Sequence, residues 1–360
     1  MSRLLWLTPG LASGAVPGIA GQETASLRYR VLSPAHVLAQ AGVASVVLNP
    51  ADAAALDAID WPACQALVIG KLAHDDPAVV GALGAAMLAI VAQAGSAGVR
   101  RIADVCDDRF DHPLLGAYWR ELVARVDHVV AGSAELAVIV GAHTAAPVTT
   151  IGDPVEGERA DAHFAPPQAR GWLGRLSGAP LRPLKLLWYG HQSNLDEVAA
   201  FVPALAAWTG AQTRVDAVEL ELVTAAGFGA EALVGRNAGE VALRLRFTPW
   251  SLAAQQQALR DCDLVVIPAT VNNAQKRAKT ANRLTEALWA GRPVLAHAVP
   301  SYREFEQCAW IGEDLIAGLG VALRDPDAPL RQVRAGQDIV GRCYSPAAVG
   351  AAWARVVRGA

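Results

Sequence analysis

A chain of 360 residues has room for about two domains of ordinary size. With 53% hydrophobic and 18% charged residues it is globular, which excludes a disordered chain, and a formal net charge of −3 gives no footing for a nucleic-acid partner. The five cysteines (Cys64, Cys106, Cys262, Cys308, Cys343) are widely spaced, with no pair at zinc or redox spacing, and fit free thiols in a reducing compartment.

The apolar run at 4–7 stops at Thr8-Pro9-Gly10, too short for the core of a signal peptide, and reads as a first strand over 3–7. Glycines at 10, 14, 18 and 21 make a flexible loop at its end. Arg28 and Arg30 follow, placed just before a helix near 31–41. Further strands are expected at 43–48, 65–70, 101–106, 127–131 and 147–151, with helices near 77–94, 113–125 and 133–141. Residues 78–92 carry no charge, but Asp76-Pro77 is a helix start and Gly95 a stop, so a buried helix explains them better than a membrane span. The densest acidic cluster is Asp104, Asp107, Asp108, Asp111 and His112. Its spacing matches no defined metal motif, so no metal is expected. Asp107 and Asp108 follow a strand and suit orienting a hydroxyl or taking its proton, while Asp111 suits capping the helix after Pro113. Beyond Pro154, a stretch bearing glycine and proline marks a linker, partly packed down by Trp172, Leu173 and Leu176. The expected layout is a domain over 1–160, a linker over 161–183, a second domain over 184–345, and a C-terminal helix within 346–360.

The second half restarts with a strand over 185–190, and more are expected at 217–223, 242–246, 263–267, 293–297 and 319–323. Helices fall near 194–208, 251–260, 280–290, 301–307 and 346–357. Trp119, Trp250 and Trp289 sit in segments that read as core. This alternation predicts two doubly wound α/β domains, whose ligands bind outside the C-terminal ends of the strands. Gly190 and His191 lie in such a loop, where glycine lets a ligand approach the backbone and the helix from Asn194 aims its free N–H groups. Residues 261–297 are the most informative stretch. Three cations, Lys276, Arg277 and Lys279, precede a helix that Thr280 is placed to cap and that Gly291 and Pro293 end. Helical spacing sets Lys279, Asn282, Arg283 and Glu286 on one side, with Leu284 and Leu288 on another. Cations before a helix N-terminus suit a diphosphate, and a carboxylate two turns in suits a ribose diol.

The run from Lys279 to Leu288, with Ala290-Gly291-Arg292-Pro293-Val294, resembles the donor-site segment of retaining glycosyltransferases of family 4, which have the GT-B fold. Ser26-Leu27-Arg28-Tyr29-Arg30 resembles a Ser-x-Arg-x-Arg opening in that group, and Gly152-Asp153-Pro154-Val155 its strand end near the hinge, read as structural. The resemblance implies two Rossmann-like domains facing across a cleft, with the C-terminal helix packing back on the first. It implies transfer of a sugar from a UDP- or GDP-sugar to a hydroxyl on a glycan, a lipid-linked glycan or a small molecule, with retention of configuration and no bound cofactor. The setting it implies is cytoplasmic, with peripheral contact at the inner membrane face left open. By position Glu286 would hold the ribose. Gly190, His191, Lys276, Arg277, Lys279, Asn282 and Arg283 would line the donor, and Arg28, Arg30, Asp107 and Asp108 the acceptor, with Lys279 and the two aspartates nearest the chemistry. The chain departs from the family's Glu-x7-Glu motif at Ala278, where the first acid belongs. Two rivals therefore stand beside the transferase: a non-catalytic nucleotide- or sugar-binding protein, and a nucleotide-sugar epimerase of the same fold. Glu286 itself is expected on an exposed helix face, where replacing it leaves the fold intact.

Overall fold

The structure, a computed structural model, describes residues 3–167, 182–211, 214–237, 242–271 and 274–359. Most of the expected linker, including Trp172, Leu173 and Leu176, lies outside the described residues. Two compact units emerge. The first comprises Met1–Pro154, Arg277–Ala281 and Arg342–Ala360, and the second Val155–Lys276 and Asn282–Gly341.

The first unit is built on a seven-stranded sheet, ordered β2-β3-β1-β4-β5-β6-β7. Its strands are β1 (Arg3–Leu7), β2 (Gly14–Ala15), β3 (Ala44–Leu48), β4 (Cys64–Ile69), β5 (Arg100–Val105), β6 (His128–Ala131) and β7 (Val148–Thr150). All pairings are parallel except that of the short β2 with β3. Successive side chains point to opposite faces, and both faces are covered. Leu5, Leu7, Leu67, Ile69, Ala103 and Val105 pack one core with Met87, Ile90 and Trp119. Leu4, Trp6, Ala66, Val68, Ile102 and Val130 pack another with Leu38, Val349 and Trp353. This two-sided burial is why the strands are continuous apolar runs instead of alternating ones.

The uncharged segment forms the helix Pro77–Ser96, capped by Asp76, whose carboxylate accepts the Ala78 N–H at 2.8 Å. By length and composition it could cross a membrane; here Val80, Gly84, Met87, Ile90, Val91 and Ala94 are buried against the sheet. The helix Pro346–Arg358 lies in this unit as well. Trp353 meets Trp6 edge to face at 5.3 Å, and a Cβ on Gly350 would fall 2.2 Å from Val37.

The second unit has a six-stranded, wholly parallel sheet ordered β10-β9-β8-β11-β12-β13. These are β8 (Leu184–Tyr189), β9 (Val218–Thr224), β10 (Leu243–Pro249), β11 (Leu264–Ile267), β12 (Val294–His297) and β13 (Trp310–Gly312). The strand expected at 319–323 is instead part of the helix Leu315–Arg324. Its buried residues Leu315, Gly318, Leu319, Ala322 and Leu323 follow helical spacing, and Asp314 caps it by accepting from Ile316 and Ala317. The helices Ala53–Asp57, Ala230–Arg236 and Asp327–Cys343 also went unread in the sequence.

Candidate functional site

The loops after parallel strands carry most of the candidate side chains of each unit. In the second unit the connection order changes direction between β8 and β11, which makes the loops after these strands the natural ligand position. After β8, Gly190 leads into a short turn in which His191 Nδ1 accepts the Ser193 N–H at 3.2 Å. The helix Leu195–Ala211 follows, with Glu197 in its first turn. Glu197 Oε1 accepts the Thr270 N–H at 2.7 Å and pairs with Lys276 Nζ at 2.5 Å, which ties the loop after β11 to the start of that helix. Burial pushes the Glu197 carboxyl up, but Lys276 and Thr270 outweigh it and hold it below its ordinary range. Glu197 Oε2 is buried with no hydrogen-bond partner.

The helix expected over 280–290 spans Asn282–Trp289. Thr280 does not cap it: its hydroxyl donates to Asp153 Oδ2 at 2.6 Å within the first unit. Leu284 through Leu288 are all buried, so this helix has no exposed polar face over its middle. Glu286, expected to be exposed, is 3% exposed. Its Oε2 accepts from Gln255 Nε2 at 2.9 Å, and Gln255 Oε1 accepts from Trp250 Nε1 at 2.9 Å. The Tyr189 hydroxyl donates to the Arg283 carbonyl at 2.8 Å. Burial, then the nearby Glu286 charge, hold that phenol well above its ordinary value. Trp250 and Trp289 are half-buried rather than core, whereas Trp119 is 2% exposed.

Arg283 runs beside Gly190, where an added Cβ would lie 3.4 Å from its Nη1, and that buried nitrogen has no hydrogen-bond partner. A charged donor in this state is suited to an anion. Asn282 turns its Oδ1 to the Arg283 N–H at 2.8 Å.

The cation cluster read from sequence is divided. Lys276 is held by Glu197 in the second unit. Arg277, in the first, is exposed and 3.7 Å from Glu135. Lys279, also in the first, is exposed and acts on the Asp107 carboxyl. Ala278 is fully buried in the first unit's core, and its carbonyl accepts from Ser133 Oγ at 2.7 Å. The position of the missing motif acid is an apolar core position here.

In the first unit Arg28 and Arg30 lie inside the helical segment, on a π-turn spanning Arg28–Leu32, and not in a loop before it. Both are buried, at 2% and 3% exposure. Arg28 Nη1 donates to the carbonyls of Gln22 and Glu23, which pins the glycine-rich loop. Arg30 donates to both Asp104 oxygens at 3.1 and 2.5 Å, to the Ile151 carbonyl at 2.7 Å and to Asp153 at 3.3 Å. Burial opposes its charge, but Asp104 and Asp153 outweigh it and raise its pKa. Nε, Nη1 and Nη2 of Arg30 are all engaged, so it holds this unit together and does not present a hydrogen-bonding face to an acceptor.

Asp107, after β5, pairs with Lys71, after β4, at 2.5 Å. Burial pushes this carboxyl up, yet Lys71, with Lys279 and Arg109, holds it below the usual carboxylate range. Asp108 accepts the Phe110 N–H at 3.3 Å, a local turn. The helix expected from 113 begins at Gly116, and His112, not Asp111, satisfies the N–H groups before it. Among the described residues no group of three His, Cys, Asp or Glu is arranged to hold a metal ion. Sequence reading missed Lys71, Glu197 and Gln255. The first two had a signal, since Lys71 directly follows an expected strand and Glu197 sits in the first turn after the Gly190 loop.

No family model matches the chain, and no curated protein matches it in sequence. Solved structures do. HepE from Anabaena in complex with UDP aligns over 100% of both chains, at 13% identity and a TM-score of 0.65. The trehalose-6-phosphate synthase OtsA aligns over 100% of this chain and 99% of its own, at 9% identity and 0.65. TarM from S. aureus aligns over 81% of this chain and 54% of its own, at 11% identity and 0.56, so the chain spans about half the length of TarM. These likenesses establish the fold as GT-B, with two parallel-sheet α/β domains.

Proposed function

We propose that this protein is a glycosyltransferase that moves a sugar from a nucleoside-diphosphate donor to a hydroxyl acceptor. The observation that carries the reading is the second unit's strand-end arrangement, where Glu286 is fixed by Gln255 and Arg283 offers a buried, unpartnered Nη1 beside Gly190. In this reading Glu286 holds the ribose diol, and Arg283, with Lys276 and the loop of Gly190 and His191, takes the diphosphate. Neutralising charge on the leaving diphosphate is the main task of such a transfer. On the acceptor side, Asp107 is a poor base because its carboxyl is held below the ordinary range. With Lys71 and Lys279 it would orient the acceptor hydroxyl rather than take its proton. The HepE complexes with UDP and with UDP-glucose support a uridine donor first. Kinship with family 4 and retention of configuration are part of this proposal, and rest on the 279–294 segment. An acceptor within a glycan, free or lipid-linked, is its working form.

A non-catalytic nucleotide-binding protein is the second reading, favoured by the burial of Ala278 where the family has an acid. Thermal unfolding with UDP, GDP, dTDP, CDP and CMP, on wild type and Glu286→Gln, separates them from an unrelated function. At a hundredfold excess over its dissociation constant a ligand stabilises by about 3 kcal/mol, a shift of roughly 6–12 °C for a domain of this size. We expect one nucleotide to give this shift and the variant to lose most of it. No shift with any nucleotide, in folded protein, would overturn both readings. Conversion of the matching donor without any acceptor would favour the epimerase over the transferase, and nucleotide binding with neither hydrolysis nor transfer would favour the non-catalytic binding protein.

A further inference from the structure

Ala73, His74 and Asp75, on the loop after β4, and Arg109, His112 and Leu115, after β5, line one cavity of about 380 Å³ in the first unit. That is the size of a small-ligand site. Its chemistry is one-sided. His74 Nδ1 accepts the Asp76 N–H at 3.0 Å, and His112 Nδ1 accepts those of Leu114 and Leu115 at 3.2 and 3.3 Å. A ring nitrogen that accepts from the backbone does not carry the proton, so in both rings Nε2 carries it and is a donor. Arg109 Nε is buried with no hydrogen-bond partner, a state in which a charged donor is seldom left. The same two loops also carry Lys71, and the Arg109 charge reaches Asp107 together with those of Lys71 and Lys279.

We propose that this cavity binds a phosphomonoester that also carries hydroxyl groups. Three N–H-bearing side chains suit the three terminal oxygens of a phosphomonoester; a carboxylate offers two, and a neutral sugar needs more acceptors than the single carboxylate of Asp75. That carboxylate takes a hydroxyl of the same ligand. A cation is opposed by Arg109. Resting on the transferase reading, the ligand is the acceptor, so the sugar is added to a molecule that already bears a phosphate. The phosphate comes either on a soluble acceptor or on a lipid headgroup.

The test is calorimetric titration of the full chain with inorganic phosphate, glycerol 3-phosphate and glycerol, beside sedimentation with phosphatidylcholine vesicles with and without phosphatidylinositol 4-phosphate. Phosphate and one of the two esters should bind and glycerol should not; the winning ester tells the soluble source from the lipid-borne one. Arg109→Gln should weaken phosphate binding at least about tenfold, as loss of a charge-assisted hydrogen bond does. His74→Asp, which keeps an acceptor for the Asp76 N–H but adds a negative charge, should do the same. Both variants should keep the wild-type response to UDP. Equal binding of glycerol and glycerol 3-phosphate, or unchanged phosphate affinity in both variants, would overturn the site. A phosphate response without any nucleotide response sinks the transferase reading and leaves the phosphate site standing; the reverse sinks the site alone.

Discussion

At the scale of single residues, burial decides what each charged side chain does. Arg30 and Glu286 are both buried, and each is held by a neighbouring side chain. Arg30→Ala leaves Asp104 and Asp153 as buried carboxylates without their cation, and should destabilise the protein by about 3–5 kcal/mol in chemical denaturation. Glu286→Ala strips Gln255 of its acceptor and should cost about 1–3 kcal/mol, whereas Glu286→Gln keeps an oxygen for Gln255 and should remain near wild type. Equal stability of the two Glu286 variants would show that the hydrogen bond is not made. Asp107 supplies a pH signature. Its folded pKa lies below the unfolded value of about 4, so its contribution is present above that value and is lost as pH falls through the folded one. Asp107→Asn should therefore flatten the acid limb of stability measured between about pH 6 and pH 3. The sequence marked Glu286 but not its burial, because Gln255 lies 31 residues away and only the fold brings them together. It marked the cations at 276–279, but not the acids their charges act on, Glu197, Glu135 and the Lys71-paired Asp107, from three distant elements.

At the scale of elements, the parallel strands were the legible part. Runs such as Leu264–Ile267 are buried on both faces, bounded by turn residues and too short to be helices. The same logic failed at 319–323, because an apolar run covered by a sheet looks alike whether it is strand or helix, and the arbiter was the Asp314 cap upstream. Gly291 was read correctly as a helix stop, and the structure adds a reason. Its φ is +77°, and a Cβ there would lie 2.1 Å from the Asp161 carbonyl oxygen. The segment at 160–163 is bonded along this turn, through Ala160 N–H to Trp289 and His163 N–H to Gly291. Gly291→Ala meets both a strained backbone and a clash with main chain, and should lower stability by more than about 1 kcal/mol. A neutral result in thermal unfolding would mean that the 160–163 segment moves away at little cost.

At the scale of the whole molecule, the first unit is assembled from three stretches of chain and the second from two. Trp353 is fully buried against Trp6 and beneath Arg30, whose guanidinium lies 6.0 Å from its ring. Trp353→Ala should cost about 3–5 kcal/mol and loosen the first unit, read as faster hydrogen exchange in β1 and β5. Exchange unchanged in those strands would show the C-terminal helix to be an appendage. The same feature sets an order of events on the ribosome. The second unit lies wholly between residues 155 and 341, so all of it is made before Trp353 is added. The first unit's early strands are made long before Trp353, so they must wait through synthesis of the whole second unit with one face incompletely covered.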